Sequence, residues 1–257
     1  MKITVLGCGV STGVPSIGVG WGDCDPADPR NRRRRASLFI ESRGKSLLID
    51  TSPDLREQFL DAGIAWVDAV VLTHAHADHL HGIDDLRAVN RLMKRPIPLY
   101  ADTATLDEVK VRFGYVLASP EAQEPFYKPT LVPHRIAGRF EAAGIPVVPF
   151  AQDHGFSTTQ GLRIGEFAYS TDVTELDDNA FQTLAGIEVW IVDCLRREPH
   201  PTHSHLEKTL GWIARVKPRR AVLTHMDHTL DYAKLAAELP EGVEPGQDGL
   251  VIELPDP

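Results

Sequence analysis

The sequence predicts a layered α/β protein with a sheet interior. Three observations carry this expectation. Apolar runs of strand length, bounded by Gly, Pro and Asp, recur throughout; the first ones are separated by turns or loop alone; and from about residue 52 onward they alternate with segments of helical spacing. Such an order buries its apolar faces as sheet layers covered by helices.

Taken in order, "KITVLG" (2–7) reads as a strand, and the Gly- and Pro-rich stretch from Cys8 to about Arg35 as a long loop. "ASLFIES" and "KSLLID" are strands around a turn at Arg43 and Gly44. "SPDLREQFLDAG" reads as a helix, with Ser52 as N-cap, Pro53 at the first helical position and Gly63 as the stop. "DAVVLT" is a buried strand. Further strands are expected at "PIPLYA", "IPVVPFA", "RIGEFAYST", "EVWIVDC", "RAVLTH" and "GLVIEL". Helices are expected at "DTATLDEVKVRFGYV", "HLEKTLGWIARVK" and "TLDYAKLAAEL", the second with Leu206, Leu210, Ile213 and Val216 on its core face. The Pro-rich segment 114–139 is read as an irregular surface loop in preference to a lid.

With 257 residues, and no internal repeat or Ser/Gly-rich linker, residues 1–257 read as one domain. The fractions of 42% hydrophobic and 25% charged residues are those of a soluble globular protein. No apolar run approaches the roughly 20 residues that span a bilayer, and "MKITVLG" is too short and strand-like for a secretory signal, so no membrane partner and a cytoplasmic location are expected. Three cysteines, Cys8, Cys24 and Cys194, without a CxxC pair, argue against a disulfide framework. The net charge of −9 argues against nonspecific nucleic-acid binding, which needs excess Lys and Arg. The run Arg30 to Arg35 is open between a phosphate-facing patch and a solvated basic loop. A homodimer is left open.

"THAHADHLHG" carries the chemistry. His74, His76, Asp78 and His79 form HxHxDH directly after a strand, where successive side chains converge on one point outside the sheet. Imidazoles and a carboxylate at this spacing supply ligands for borderline divalent metals. A lone histidine more often has a structural role, but three around an aspartate point to metal. More ligands are then required, each just past a strand, and His154, Asp172 and His225 stand in such places. His81 is read as a bystander.

On these motifs the chain resembles the metallo-β-lactamase superfamily, from the N-terminal strands and Asp50 to "LTHMDH". The resemblance implies a four-layer αββα sandwich in a single domain with two divalent metal ions, Zn or Mn. It implies His74, His76 and His154 on one metal, Asp78, His79 and His225 on the other, and Asp172 between them. Asp50 would buttress the ligands by hydrogen bonds. An aspartate in the bridging place, with Cys194 elsewhere and read as a small buried residue, sets the chain apart from true β-lactamases.

The stretch "HPTHSHLEKTLGWIARVKPRRAVLTHMDHTLDY" is similar to the C-terminal motif of the phosphoribosyl 1,2-cyclic phosphate phosphodiesterase group. That resemblance implies a phosphodiesterase acting on a small, cyclic or nucleotide-like phosphate diester. Asp78 and His203 would be catalytic, with His203 the general acid protonating a poor alkoxide leaving group, and His200 and His205 as competitors. The two metals, roughly 3.5–4 Å apart, would share the attacking hydroxide and offset charge at phosphorus. His228 and Asp231 would contact sugar or phosphate. The Gly- and Ser-rich loop after the first strand resembles the same group, with Arg35 and Ser37 in its "NRRRRAS" run as further substrate contacts. The group's cysteine cluster for an additional structural zinc is here reduced to Cys24. Alternatives are a thioester or lactone hydrolase, a tRNA 3′-processing endonuclease and a non-catalytic metal-binding protein. The basic arm that tRNA processing relies on is missing from this sequence, and every position the resemblance assigns to a metal ligand is filled.

Overall fold

The computed structural model describes residues 1–118 and 128–257. The first half runs through β1 (Lys2–Gly7), β2 (Ser37–Ser42), β3 (Lys45–Ile49), α1 (Leu55–Ala62), β4 (Ala69–Val71), α2 (Ala77–Leu80), α3 (Leu86–Met93), β5 (Ile97–Ala101), α4 (Thr103–Phe113) and β6 (Leu131–Arg135). The second half runs through β7 (Phe140–Ala142), β8 (Ile145–Asp153), β9 (Thr158–Ile164), β10 (Phe167–Ser170), α5 (Asp178–Leu184), β11 (Val189–Asp193), α6 (Leu206–Val216), β12 (Arg220–Thr224), α7 (Tyr232–Glu238), β13 (Val243–Pro245) and β14 (Val251–Glu253).

The strands form two mixed sheets, β14-β1-β2-β3-β4-β5-β6 and β13-β12-β11-β10-β9-β8-β7. In each, one half is parallel, β3 to β6 in the first sheet and β10 to β13 in the second, and the other half antiparallel. Alternation along the strands divides the core. Leu47, Ile49, Ala69 and Val71 join Val147, Leu162 and Ile191 of the other sheet in one apolar cluster, whereas Leu48 and Val70 point the other way, onto Leu55, Leu86 and Val109 of α1, α3 and α4. Trp212, Ile213 and Leu235 of α6 and α7 pack on the second sheet. This is the expected αββα sandwich.

Several local expectations are corrected. The helix foreseen from Ser52 begins at Leu55, because Ser52 uses its hydroxyl to accept the Asp54 N–H at 3.0 Å in a preceding turn. Gly63 closes it as expected, in the left-handed region at φ 65. "RIGEFAYST" is two strands: Gly165 at φ 58 and Glu166 turn the chain, and Phe167 of β10 pairs antiparallel with Ile164 of β9. The helix from Asp102 stops at Phe113, followed by a 3-10 turn over Gly114–Val116. Segment 114–139 is not wholly irregular, since β6 lies within it and pairs with β5; the rest of that expectation falls partly on residues 119–127, outside the described ones. Among the described residues no helix is long and apolar enough to cross a membrane.

Candidate metal centre

The strands β3, β4, β8, β10, β11 and β12 each end in a residue or loop that turns toward one place. His74 and His76 follow β4, and Asp78 and His79 lie on α2; His154, Asp172 and His225 follow β8, β10 and β12. Asp172 and His225 adopt left-handed backbone, φ 52 and 59, as does Asp50 after β3, φ 63. Such angles turn a strand abruptly, and Asp and His are among the non-glycine residues that tolerate them.

Among the described residues, two four-residue groups of side chains result, with Asp193, His203 and His225 gathered beside them. His74, His76, His154 and Asp172 converge in one, Asp78, His79, His225 and Asp172 in the other. Asp172 belongs to both through different oxygens: Oδ2 lies 3.7 Å from His74 Nε2 and from His154 Nε2, and Oδ1 lies 3.0 Å from His79 Nε2 and 3.4 Å from His225 Nε2. Asp78 Oδ2 is 3.3 Å from His225 Nε2 and 3.4 Å from His79 Nε2, and His154 Nε2 is 3.3 Å from His76 Nδ1. A tetrahedron of nitrogen and oxygen ligands about 2.0–2.1 Å from zinc has edges of about 3.3 Å. These separations therefore suit a central cation better than direct hydrogen bonds.

Three of the other ring nitrogens are tied back, while His225 Nδ1 is buried without a hydrogen-bond partner. His79 Nδ1 lies 2.7 Å from Asp50 Oδ2, His154 Nδ1 donates to the Thr202 carbonyl at 2.6 Å, and His74 Nδ1 is 3.0 Å from Thr73 Oγ1. Asp50 is fixed in turn by the Thr73 N–H at 2.8 Å and the Thr73 hydroxyl. The Nε2 atoms of His74 and His79 are left buried with no hydrogen-bond partner, an arrangement that costs energy unless a cation occupies the centre. The donor set thus fits metal.

Charge balance agrees. Burial alone would push the His79 imidazole down, but Asp172, Asp78 and Asp50 outweigh it and hold it well above the ordinary histidine range. Burial would raise Asp172, yet His225, His79 and His74 bring it well below the usual carboxylate range. Without metal, protons on imidazoles must supply the positive charge that these carboxylates demand.

His203 stands at the edge of both groups, in a cavity of about 340 Å³ lined also by Ser11, His76, Asp78, His154, Asp172 and His225. Its ring stacks on His225 at 4.7 Å, its Nδ1 is 3.0 Å from Asp193 Oδ2, and its Nε2 faces Asp172 Oδ2 at 3.7 Å. Burial lowers its pKa, but the Asp193 carboxylate more than compensates and lifts it to about 9. His200 lies farther out, its ring 5.4 Å from that of His203, and His205 stands at the N-terminus of α6 without a capping bond from its side chain. Asp193 was not foreseen, though it ends an apolar strand just as Asp172 does. The same pattern would have found it.

The expected substrate contacts fall elsewhere. Ser37 is fully buried and donates to the carbonyls of Ile49 and Asp50. Asp231 is buried and accepts from the N–H groups of Asp25 and Lys234 and from Asn31 Nδ2, capping α7. Arg35 is paired with Asp54 at 3.0 Å, and the His228 carbonyl accepts the Asp23 N–H at 2.9 Å. None of the four lines the cavity beside His203; Asp231 and His228 hold the loop after β1 against the segment after β12, whereas Ser37 and Arg35 bond to the end of β3 and the turn before α1. His81 is exposed, beside Arg112 at 3.4 Å. Cys8, Cys24 and Cys194 are free and buried.

Residues 45–226 match the beta-lactamase superfamily domain. With this match and its two-sheet sandwich, the chain belongs to that superfamily and has the metallo-β-lactamase fold. Within it the chain resembles the PhnP group: it is 36% identical to a diphosphatase from the PhnP family, over 99% of this chain and 98% of that one, with a TM-score of 0.91. Zn(2+)-bound PqqB from Methylobacterium extorquens shares the fold, at 19% identity and a TM-score of 0.79 over 99% of this chain and all of that one. The chain is also 36% identical, over 97% of its length, to an octanoyltransferase from Porphyromonas gingivalis, and spans about half (51%) of that protein.

Proposed function

We propose that the chain is a dinuclear metal-dependent phosphodiesterase acting on a small, cyclic or nucleotide-like phosphate diester. The observation that carries this reading is His203, oriented by Asp193 with its Nε2 3.7 Å from the shared Asp172 carboxylate. A proton donor is useful there when the leaving group is a poor one, as an alkoxide is.

His74, His76 and His154 would hold one divalent ion, Zn or Mn, and Asp78, His79 and His225 the other, with Asp172 shared. Bound there, the ions supply Lewis-acid stabilisation of charge at phosphorus and a nucleophile from water at neutral pH. Asp50 keeps the His79 tautomer with Nε2 free. His203 holds its proton at Nε2, because Asp193 occupies Nδ1, and delivers it to the departing oxygen. A second reading, cleavage of a diphosphate bond, is favoured by the 36% identity to the PhnP-family diphosphatase. It uses the same residues, with His203 less important because a phosphate leaves more readily than an alkoxide.

Turnover of bis-p-nitrophenyl phosphate, a 2′,3′-cyclic nucleotide, a dinucleoside diphosphate and a thioester by metal-loaded protein tests both readings. Hydrolysis of the cyclic nucleotide is expected; turnover of the thioester alone overturns the proposal. His203→Ala should slow the cyclic nucleotide roughly 10²–10⁴-fold, the range of general acid catalysis, and the activated aryl ester far less. Equal losses on both would remove His203 from the acid role.

A further inference from the structure

Phe156 is 93% exposed, in a molecule that buries most of its large apolar side chains. It is no loose side chain on a distant loop. It lines the metal-facing cavity together with His154, Asp172 and His203, and it lies two residues after His154. Its turn is pinned on three sides: the His154 N–H donates to the Ser157 carbonyl at 2.9 Å, the Phe156 N–H to the His154 carbonyl at 3.0 Å, and the Gly155 N–H to Asp153 Oδ1 at 2.7 Å. Gly155, at φ 75, backs onto Pro201 and Thr202 so closely that a Cβ would meet the Pro201 carbonyl at 2.7 Å. The backbone is thus seated against the wall that carries His203 while the ring is held out at the cavity.

A second cavity of about 470 Å³ adjoins the first, sharing His76 and Ser157 as lining and bounded beyond them by Thr105, Glu108 and Arg112. Substrate can therefore extend past the Phe156 turn. Two residues of chain put the Phe156 backbone at most about 7 Å from that of His154, a histidine of the metal-facing group.

We infer that Phe156 is the platform on which a planar base of the substrate stacks, so that the site selects nucleotide-like esters over base-free sugar phosphates. The inference rests on the phosphoryl-centred reading above. Every nucleobase presents a π-face to such a ring, so the preference is for a base as such and discriminates little among bases.

Binding separates this from the question of turnover. The affinities of metal-loaded protein for AMP and for ribose 5-phosphate, measured by calorimetry, are expected to differ at least tenfold in favour of AMP. In Phe156→Ala the ratio should fall close to one, and in Phe156→Trp it should be retained, with indole fluorescence quenched on AMP binding. A wild-type ratio near one, or a ratio that persists in Phe156→Ala, would overturn the inference. If the AMP preference behaves as expected while no phosphoester is hydrolysed, the platform stands and the phosphodiesterase reading fails.

Discussion

Asp50, Asp172 and His225 hold left-handed backbone at the ends of three strands, a conformation that costs a residue with a Cβ about 1–2 kcal/mol. Here the cost falls on residues whose side chains make up or brace the centre. Asp50 itself would not touch metal. Asp50→Asn keeps the shape and removes the charge that fixes His79, and metal affinity should fall about 10–100-fold in chelator competition. Asp193→Asn acts on the proton instead. Because Asp193 holds the His203 imidazole up to about 9, its loss should move the alkaline limb of the rate profile down toward the ordinary histidine range, with metal content unchanged. At this scale the residues that converge on the centre were legible because HxHxDH is a local pattern and His154, Asp172 and His225 each follow an apolar run. Ser37 and Asp231 lie buried away from the cavity, which position in a motif does not reveal because it does not say which way a side chain points. Asp193 was overlooked because its partner is ten residues away across an irregular loop.

Between elements, the long loop after β1 is held by one buried cation. Arg33, 1% exposed, donates to the carbonyls of Asp227 at 3.1 Å and Leu230 at 2.6 Å and to Asn31 Oδ1 at 3.3 Å. It thereby clamps the segment that follows His225. Arg33→Met leaves the Leu230 carbonyl without its donor, while Asn31 Oδ1 keeps the Tyr232 N–H and the Asp227 carbonyl the Leu230 N–H, and should lower stability by about 1–3 kcal/mol in urea denaturation, the cost of one unpaired buried group. Asp248 fastens the same loop from the other side, accepting the Arg34 N–H at 2.8 Å and the Cys8 N–H at 3.2 Å. Burial pushes its carboxyl up to about 7 against those donors. The folded state therefore favours its protonated form, and this contribution is full below pH about 4 and lost as pH rises through about 7. Relative to wild type, Asp248→Asn should gain stability steadily between pH 4 and 7 in melting curves; a constant difference would refute it. The Cys8 to Arg35 segment was legible as loop, but not its anchors, which lie some 200 residues away in sequence. Elements of mixed polarity such as α5 and β7 escaped notice, whereas apolar strands did not.

For the whole molecule, the layered α/β class followed from strand and helix order, but which strands share a sheet did not, since pairings such as β1 with β14 join the chain's two ends. The centre draws His74, His76, Asp78 and His79 from the first sheet and His154, Asp172 and His225 from the second. Metal held by that set binds only the folded chain, so a free ion at a thousandfold excess over its Kd adds about 4 kcal/mol of stability. Removing it with a chelator should lower the melting temperature by several degrees and restore it on adding Zn or Mn. A melting curve indifferent to both would rule out metal at this centre. The shared carboxylate of Asp172 has a mechanical sequel. With metal in both groups the two sheets could part at this rim only by releasing side chains of both together, so amide exchange along β4 and β10 should slow in step on loading, as though the sandwich had been riveted at one end.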